Sequence, residues 1–375
     1  MKTRIIEFIK RETVLTAAGL LALFSCLFVK PEAEDYMGYI MGNLNTLIVL
    51  FCLMTVVAGL GSLGVFRYVG EGLLKKLKSE RGIAFLLVFL CFFGSMFITN
   101  DVALITFVPF AIMVLNMAGM AKKLCYTVVM MTIAANLGSM LTPVGNPQNL
   151  YLYASSGMTM AEFIRLMLPF TLVSALLLAG CLWCGFQNVP VQVQIKEKTE
   201  KPDMPQVIYY VLLFLICLQT VSGFLPSQGL LLIILGAVIV RDRSLFFKVD
   251  YSLLLTFLFF FVFIGNMSQY QPFCYMVEGL VKDHEVAAAV AMSQIISNVP
   301  AALLLSGFTS QWEALIIGTN LGGLGTLIAS MASLISYKQI AAEFPKEKGR
   351  YFGMFTVWNV VFLAVLLIVA GISSV

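Results

Sequence analysis

The sequence is short of charge and nearly without histidine. Of its 375 residues only 12% are Asp, Glu, Lys or Arg, where a soluble domain carries about 25%. With 60% hydrophobic residues, a water-soluble globular protein is excluded and a polytopic membrane protein is expected. His284 is the single histidine, set in a polar loop, so a hydrolytic zinc site and a Ser-His-Asp relay both lack their parts. No nucleophile–base pair is visible, and an enzyme is not expected. The net charge of +4 rests on basic residues gathered in loops, which reports topology and not a nucleic-acid partner. Eight cysteines are scattered through apolar runs, and only Cys181-Leu-Trp-Cys184 has motif spacing. Inside a hydrophobic helix that pair reads as buried thiols. No cofactor is expected beyond Na+ as a coupling ion.

What is present is organised around Thr99-Asn100-Asp101. Residues 82–98 lead into it and residues 102–121 lead away, neither stretch holding a charge. Asp101 is thus the only carboxylate in a membrane-like segment, where an ionised group costs roughly 3 kcal/mol and must face protein or water. Lys75, Lys76, Lys78 and Arg81 precede this segment, and Lys122 and Lys123 follow it. Basic flanks on both sides place both ends in the cytoplasm. The spacing predicts a re-entrant hairpin with its tip at a binding site, since an irregular turn at membrane depth is tolerated only where it is buried or lines a cavity.

The rest of the chain follows by counting crossings of about 20 residues each. Lys2, Arg4, Lys10 and Arg11 put the N-terminus inside, and the first helix, 13–29, reads as an uncleaved span with an acidic exit at Glu32, Glu34 and Asp35. A second helix, 44–66, returns to a basic loop at 67–81, and the hairpin takes 82–119. The next span starts at 124 and breaks in the middle, at Thr142-Pro143-Val-Gly145-Asn146-Pro147. A helix over 164–186 leads to the polar linker 187–206, with Lys196, Glu197, Lys198, Glu200, Lys201 and Asp203. Helices over 207–224, 229–240 and 251–268 follow. A second hairpin, 286–308, turns at Ser297-Asn298-Val299, and a second broken helix carries Asn320-Leu-Gly322-Gly323-Leu-Gly325-Thr326. A final helix, 353–372, leaves the C-terminus outside. The expected location is the plasma (inner) membrane.

The two halves repeat. Asn136-Leu-Gly-Ser-Met-Leu-Thr142 matches Asn320-Leu-Gly-Gly-Leu-Gly-Thr326, an offset of 184 (from 136 to 320). Thr99-Asn100-x-x-Ala103 matches Ser297-Asn298-x-x-Ala301, an offset of 198 (from 100 to 298). The odd helix at 207–224 inverts the second half, so the chain divides into a first inverted repeat (1–186), a linker with connecting helix (187–226) and a second inverted repeat (227–375). The expected fold is all-α, with two re-entrant hairpins and two broken transmembrane helices, the signature of a secondary transporter with its site at the midplane. The recurring amides and hydroxyls are the candidate substrate ligands: Thr99, Asn100, Ser297 and Asn298 at the tips, Thr142, Asn146, Thr319 and Thr326 at the breaks. Cation coupling is assigned to Asp101, Asn100, Asn136 and Gly145 in the first half and to Asn298, Asn320 and Gly323 in the second. No obvious lysine or arginine sits at midplane to pair with an anion, so Na+, backbone amides and half-helix N-termini are left to supply positive field.

These motifs resemble the ion transporter superfamily of arsenite pumps, sodium/proton antiporters, and citrate and dicarboxylate carriers. The string Gly145-Asn-Pro-Gln-Asn-Leu150 is similar to the branch labelled anion permeases. The resemblance implies that both tips bind carboxylate beside sodium, although the Thr of the dicarboxylate carriers' Ser-Asn-Thr is replaced here by Asp101 and Val299. It also implies a homodimer. Secondary transport of a small anion, carboxylate or oxyanion, coupled to Na+ or H+ is the expectation. Cation/proton antiport with Asp101 as the exchanged-charge carrier is the alternative, with an ion channel behind it.

Overall fold

The computed structural model describes residues 12–29, 33–75, 77–191 and 200–372. Lys2, Arg4, Lys10, Arg11, Glu32 and Lys76, and in the linker Lys196, Glu197 and Lys198, lie outside the described residues. Among the described residues there are seventeen α-helices and no strand, the one isolated bridge joining Ser79 to Pro190. Six helices are long and apolar enough to cross a membrane, and a seventh span arises if the pair Tyr251–Met267 and Gln271–Val281, bent by 108°, counts as one. The chain is an all-helical integral membrane protein.

In chain order α1 is Thr13–Ser25, α2 Ala33–Ser62 and α3 Val65–Leu74. Two sequence expectations change here. Glu34 and Asp35 fall inside α2 instead of in an exit loop. The stretch expected as a basic loop from 67 holds the amphipathic helix α3, because Arg67 and Glu71 pair one turn apart at 3.1 Å while Phe66 and Leu74 turn inward.

The first hairpin is α4 (Glu80–Ile98) and α5 (Asn100–Met117). Ser79 caps α4 by accepting from the Gly82 amide at 3.2 Å. Its arms pack antiparallel: a Cβ on Gly94 would press on the Phe107 ring, and Leu90 and Phe110 meet over Gly70. Both ends of this hairpin fasten to one place. Arg81 Nε donates to the Phe186 carbonyl at 3.0 Å and Lys123 Nζ to the Gly185 carbonyl at 2.7 Å.

The first break separates α6 (Leu124–Ser139) from α7 (Pro147–Ser156), with a 3₁₀ turn at Pro143–Gly145 between them. Pro147 at the first position of α7 has no amide to satisfy, and Asn146 caps the helix by accepting from the Asn149 amide at 2.9 Å. Next come α8 (Met160–Gly185), opened by a Thr159–Glu162 capping box, α9 (Met204–Val221), α10 (Ser227–Arg241), α11 (Tyr251–Met267) and α12 (Gln271–Val281). The second hairpin is α13 (Glu285–Ile296) and α14 (Asn298–Ser306), closed at its base by Thr309 Oγ1 to Glu285 Oε1 at 3.5 Å. The second break, 322–330, separates α15 (Trp312–Leu321) from α16 (Met331–Glu343), and α17 (Lys348–Ile372) ends the described chain.

Candidate functional site

Two tips and two breaks converge on one buried polar network. At each tip a residue other than glycine holds the left-handed region: Thr99 at φ 66°, ψ 151° and Ser297 at φ 78°, ψ 154°. Such backbone costs of order 1–3 kcal/mol and persists only where the surroundings over-determine it. That the same strained geometry occurs at residues already paired by sequence ties the two tips together.

The breaks are matched bond by bond. Thr142 Oγ1 donates to the Met96 carbonyl at 2.6 Å, and Thr326 Oγ1 donates to the Gln294 carbonyl at 3.2 Å. Met96 and Gln294 each lie three residues before their tip. Gly138 packs against Phe92 and Ser95, and Gly322 against Ser293, so close that no Cβ fits at either.

Across the halves the amides exchange partners. Asn136 Oδ1 accepts from Ser330 Oγ at 2.9 Å, and its Nδ2 donates to Ser333 Oγ at 3.4 Å. Asn320 Oδ1 accepts from Asn146 Nδ2 at 3.2 Å, and its Nδ2 donates to Asn149 Oδ1 at 2.6 Å. Asn146 and Asn149 stand ten and thirteen residues after Asn136, as Ser330 and Ser333 do after Asn320. Each break therefore holds the restart of the opposite half. The tips join the same network. Asn100 Nδ2 donates to Asn136 Oδ1 at 3.0 Å, and the Asn298 amide donates to the Ala329 carbonyl at 2.9 Å, next to Ser330.

Beside the first tip lies a cavity of about 190 Å³, walled by Leu50, Leu53, Val57 and Leu150, with Thr99, Asp101 and Asn146 on its polar side. Lys248 and Asp250 also line it. Sequence reasoning did not anticipate this basic residue on the cavity of Asp101: Lys248 ends a 3₁₀ turn, Arg243–Lys248, that packs on α2 and α10. Asp101 Oδ1 is buried with no hydrogen-bond partner among the described residues, as is Gln148 Nε2 on the first turn of α7.

The family model described as "Citrate transporter" matches residues 5–310. The chain belongs to the citrate transporter family. It is similar to the uncharacterized transporter MJ0456 of Methanocaldococcus jannaschii, 35% identical over 303 residues, covering 78% of this chain and 80% of that one. It is also similar to the inner membrane protein YbiR of Escherichia coli, 30% identical over 302 residues, covering 78% and 79%. A partial likeness, 28% over 155 residues, links it to the silicon efflux transporter LSI3 of Oryza sativa subsp. japonica, covering 41% of this chain and 31% of that one.

Asn100, Asn136, Asn146, Asn298 and Asn320 are buried in the network. Ser297 Oγ turns to the Ala329 carbonyl at 3.4 Å, Gly145 packs on the Ser139 carbonyl, and Gly323 on the Asn298 amide. Thr319 stays apart: its hydroxyl donates to the Leu315 carbonyl of its own helix at 2.7 Å. Sequence reasoning missed Ser330, Ser333, Asn149 and Gln294. Gln294 stitches the second break, donating to the carbonyls of Gly322 (2.9 Å) and Leu324 (3.0 Å) and accepting from the Thr326 amide (2.8 Å). The 184-residue offset, followed ten and thirteen residues further, would have found the two serines.

Proposed function

We propose that this protein is a secondary active transporter of a small anion, a carboxylate or oxyanion, driven by Na+ or H+ through alternating access. The observation that carries the reading is the reciprocal clasp of Asn136 and Asn320 on the opposite half's restart, with a strained tip on either side. Two interrupted helices bound crosswise give a site of backbone and amide dipoles between two similar halves, the arrangement of transporters built from inverted repeats. On this reading residues 1–186 and 227–375 are inverted repeats joined by 187–226, and the two hairpins are re-entrant. Asn100, Asn146, Asn298 and the hydroxyls of Thr99 and Ser297 supply substrate contacts. Asp101 is the coupling group, with Asn136, Asn320, Gly145 and Gly323 framing the ion. The family's description names citrate, a carboxylate of the proposed class.

A second reading has its own observation. The cavity at the first tip carries two carboxylates, Asp101 and Asp250, against one ammonium, Lys248, and that balance favours a cation over an anion. Cation/proton antiport through Asp101 follows from it. Uptake into proteoliposomes separates the two. Under the first reading a Na+ or pH gradient drives accumulation of a labelled carboxylate or oxyanion, and Asp101→Asn abolishes the gradient dependence while binding of the anion persists. Gradient-driven cation exchange with no anion dependence would replace the first reading by the second. Transport with unaltered ion and pH dependence in Asp101→Asn would remove Asp101 from both.

A further inference from the structure

A second groove lies away from the two tips. It has a volume of about 730 Å³ and runs between α6, α8 and α17 at the end where the hairpin ends are fastened. Its head is basic: Lys122, Lys123 and Arg350 line it, and among the described residues no acidic one does. Glu347 pairs with Arg350 Nη1 at 3.4 Å and offsets part of this charge, leaving the head net basic. Lys123 is already engaged on the Gly185 carbonyl, and Arg350 Nη2 on the Lys122 carbonyl at 3.4 Å. The Lys122 ammonium is exposed and has no hydrogen-bond or ion-pair partner among the described residues.

Below this head the walls turn apolar. Arg350, Met354 and Trp358 lie four residues apart on one face of α17, a strip about 12 Å long at 1.5 Å per residue. The facing wall on α8 is cut low by Gly180, while the Tyr126 ring of α6 fills the space over Gly185. The Tyr126 hydroxyl does not make the groove polar, because it is spent on the Cys181 carbonyl at 2.9 Å. Both α8 and α17 are long enough to span a membrane, and Gly180 and Cys184 are exposed on the outer surface. The groove therefore opens sideways where acyl chains would run.

We propose that this groove is a binding site for one anionic phospholipid, its phosphate held by Lys122 and Arg350 and its upper acyl chain laid along Met354 and Trp358. A basic pocket between transmembrane helices at the positively charged face is suited to such headgroups. A soluble phosphate would use only the head of the site and none of the apolar strip. The site is independent of the transport reading and of the network at the tips.

The test uses the full-length protein in detergent, probed by native mass spectrometry with phosphatidylglycerol, phosphatidylcholine and inorganic phosphate. Wild type should retain one phosphatidylglycerol with a preference of about tenfold over phosphatidylcholine, the scale of one to two engaged basic groups. Lys122→Gln/Arg350→Gln should erase the preference. Gly180→Leu should block retention of the lipid altogether, and because a Cβ at Gly180 meets nothing within 4 Å, this variant keeps the fold and decides the matter if the charge variant does not assemble. Equal retention of the two lipids by wild type, or a preference that survives both variants, would overturn the proposal. Displacement of phosphatidylglycerol by millimolar inorganic phosphate would overturn it too, reassigning the head to a soluble anion.

Discussion

The clasp between the halves can be broken at Asn320 and its strength worked from its bonds. Asn320 makes two side-chain bonds to the first half, at 3.2 Å to Asn146 and 2.6 Å to Asn149, and one to the Ile316 carbonyl of its own helix. In Asn320→Ala the Ile316 carbonyl keeps its helical partner, and Asn146 Nδ2 keeps Ser139 Oγ at 3.3 Å. Asn149 Oδ1 is left buried and alone. Interhelical hydrogen bonds in membrane proteins average ~0.6 kcal/mol, and an orphaned buried acceptor adds ~1–3 kcal/mol, so the substitution should destabilise by about 2–4 kcal/mol. Asn149→Ala removes the same bond from the other side. Unfolding in mixed micelles of the wild type, both single variants and the double variant gives the coupling energy, expected at about 1 kcal/mol. The equivalent cycle on Asn136 and Ser333 should give a smaller coupling, because that bond is longer at 3.4 Å. A coupling for Asn320 and Asn149 within about 0.3 kcal/mol of zero would refute the clasp, since that is the scatter of independent sites.

Three other outcomes are expected. Single cysteines at Ser79 and Ala121, in a background free of other cysteines, should label from the same side of the membrane, and a cysteine at Ser155 from the other; opposite labelling of the first two would turn the hairpin into a crossing. Thr99→Gly should raise stability by about 1 kcal/mol by relieving the positive φ while lowering transport. Unchanged stability would mean that the tip is not strained. Gly145→Ala should lose both folded yield and transport, because its methyl would run into the Ser139 carbonyl. Wild-type yield in that variant would contradict the packing of the first break.

The membrane class, the tips and the breaks were legible in the sequence because each has a local cause. Proline and glycine cannot continue a helix at Pro143 and Pro147, and a lone carboxylate such as Asp101 cannot face lipid. The partners of Asn136 and Asn320 were not legible in the same way. They lie 171 to 197 residues away, and no periodicity within a segment encodes a contact between halves. The second half also answers with serine where the first uses asparagine, so identity fades at Ser330 and Ser333 while the bonding pattern survives. Lys248 was hidden for another reason: a turn outside every apolar run folds back to reach the cavity. The helix over 65–74 was overlooked because its charges masked an apolar face that packs on the hairpin.

The two breaks are matched in partners but not in how they are tied to their hairpins. Gln294 ties the second hairpin to its break with three side-chain bonds, where the first hairpin has Met96 and gives only its backbone carbonyl. The first break is tied instead from its own restart, by Asn149 Nδ2 to the carbonyls of Met140 at 3.4 Å and Thr142 at 3.3 Å. The cavity with Asp101 and Lys248 adjoins the first break. The first hairpin can therefore part from its break with fewer bonds broken, while the second hairpin and its break are bound as one piece. Amide hydrogens around Thr142 should thus exchange with solvent deuterium sooner than those around Thr326, a clock that runs whether or not a solute is aboard.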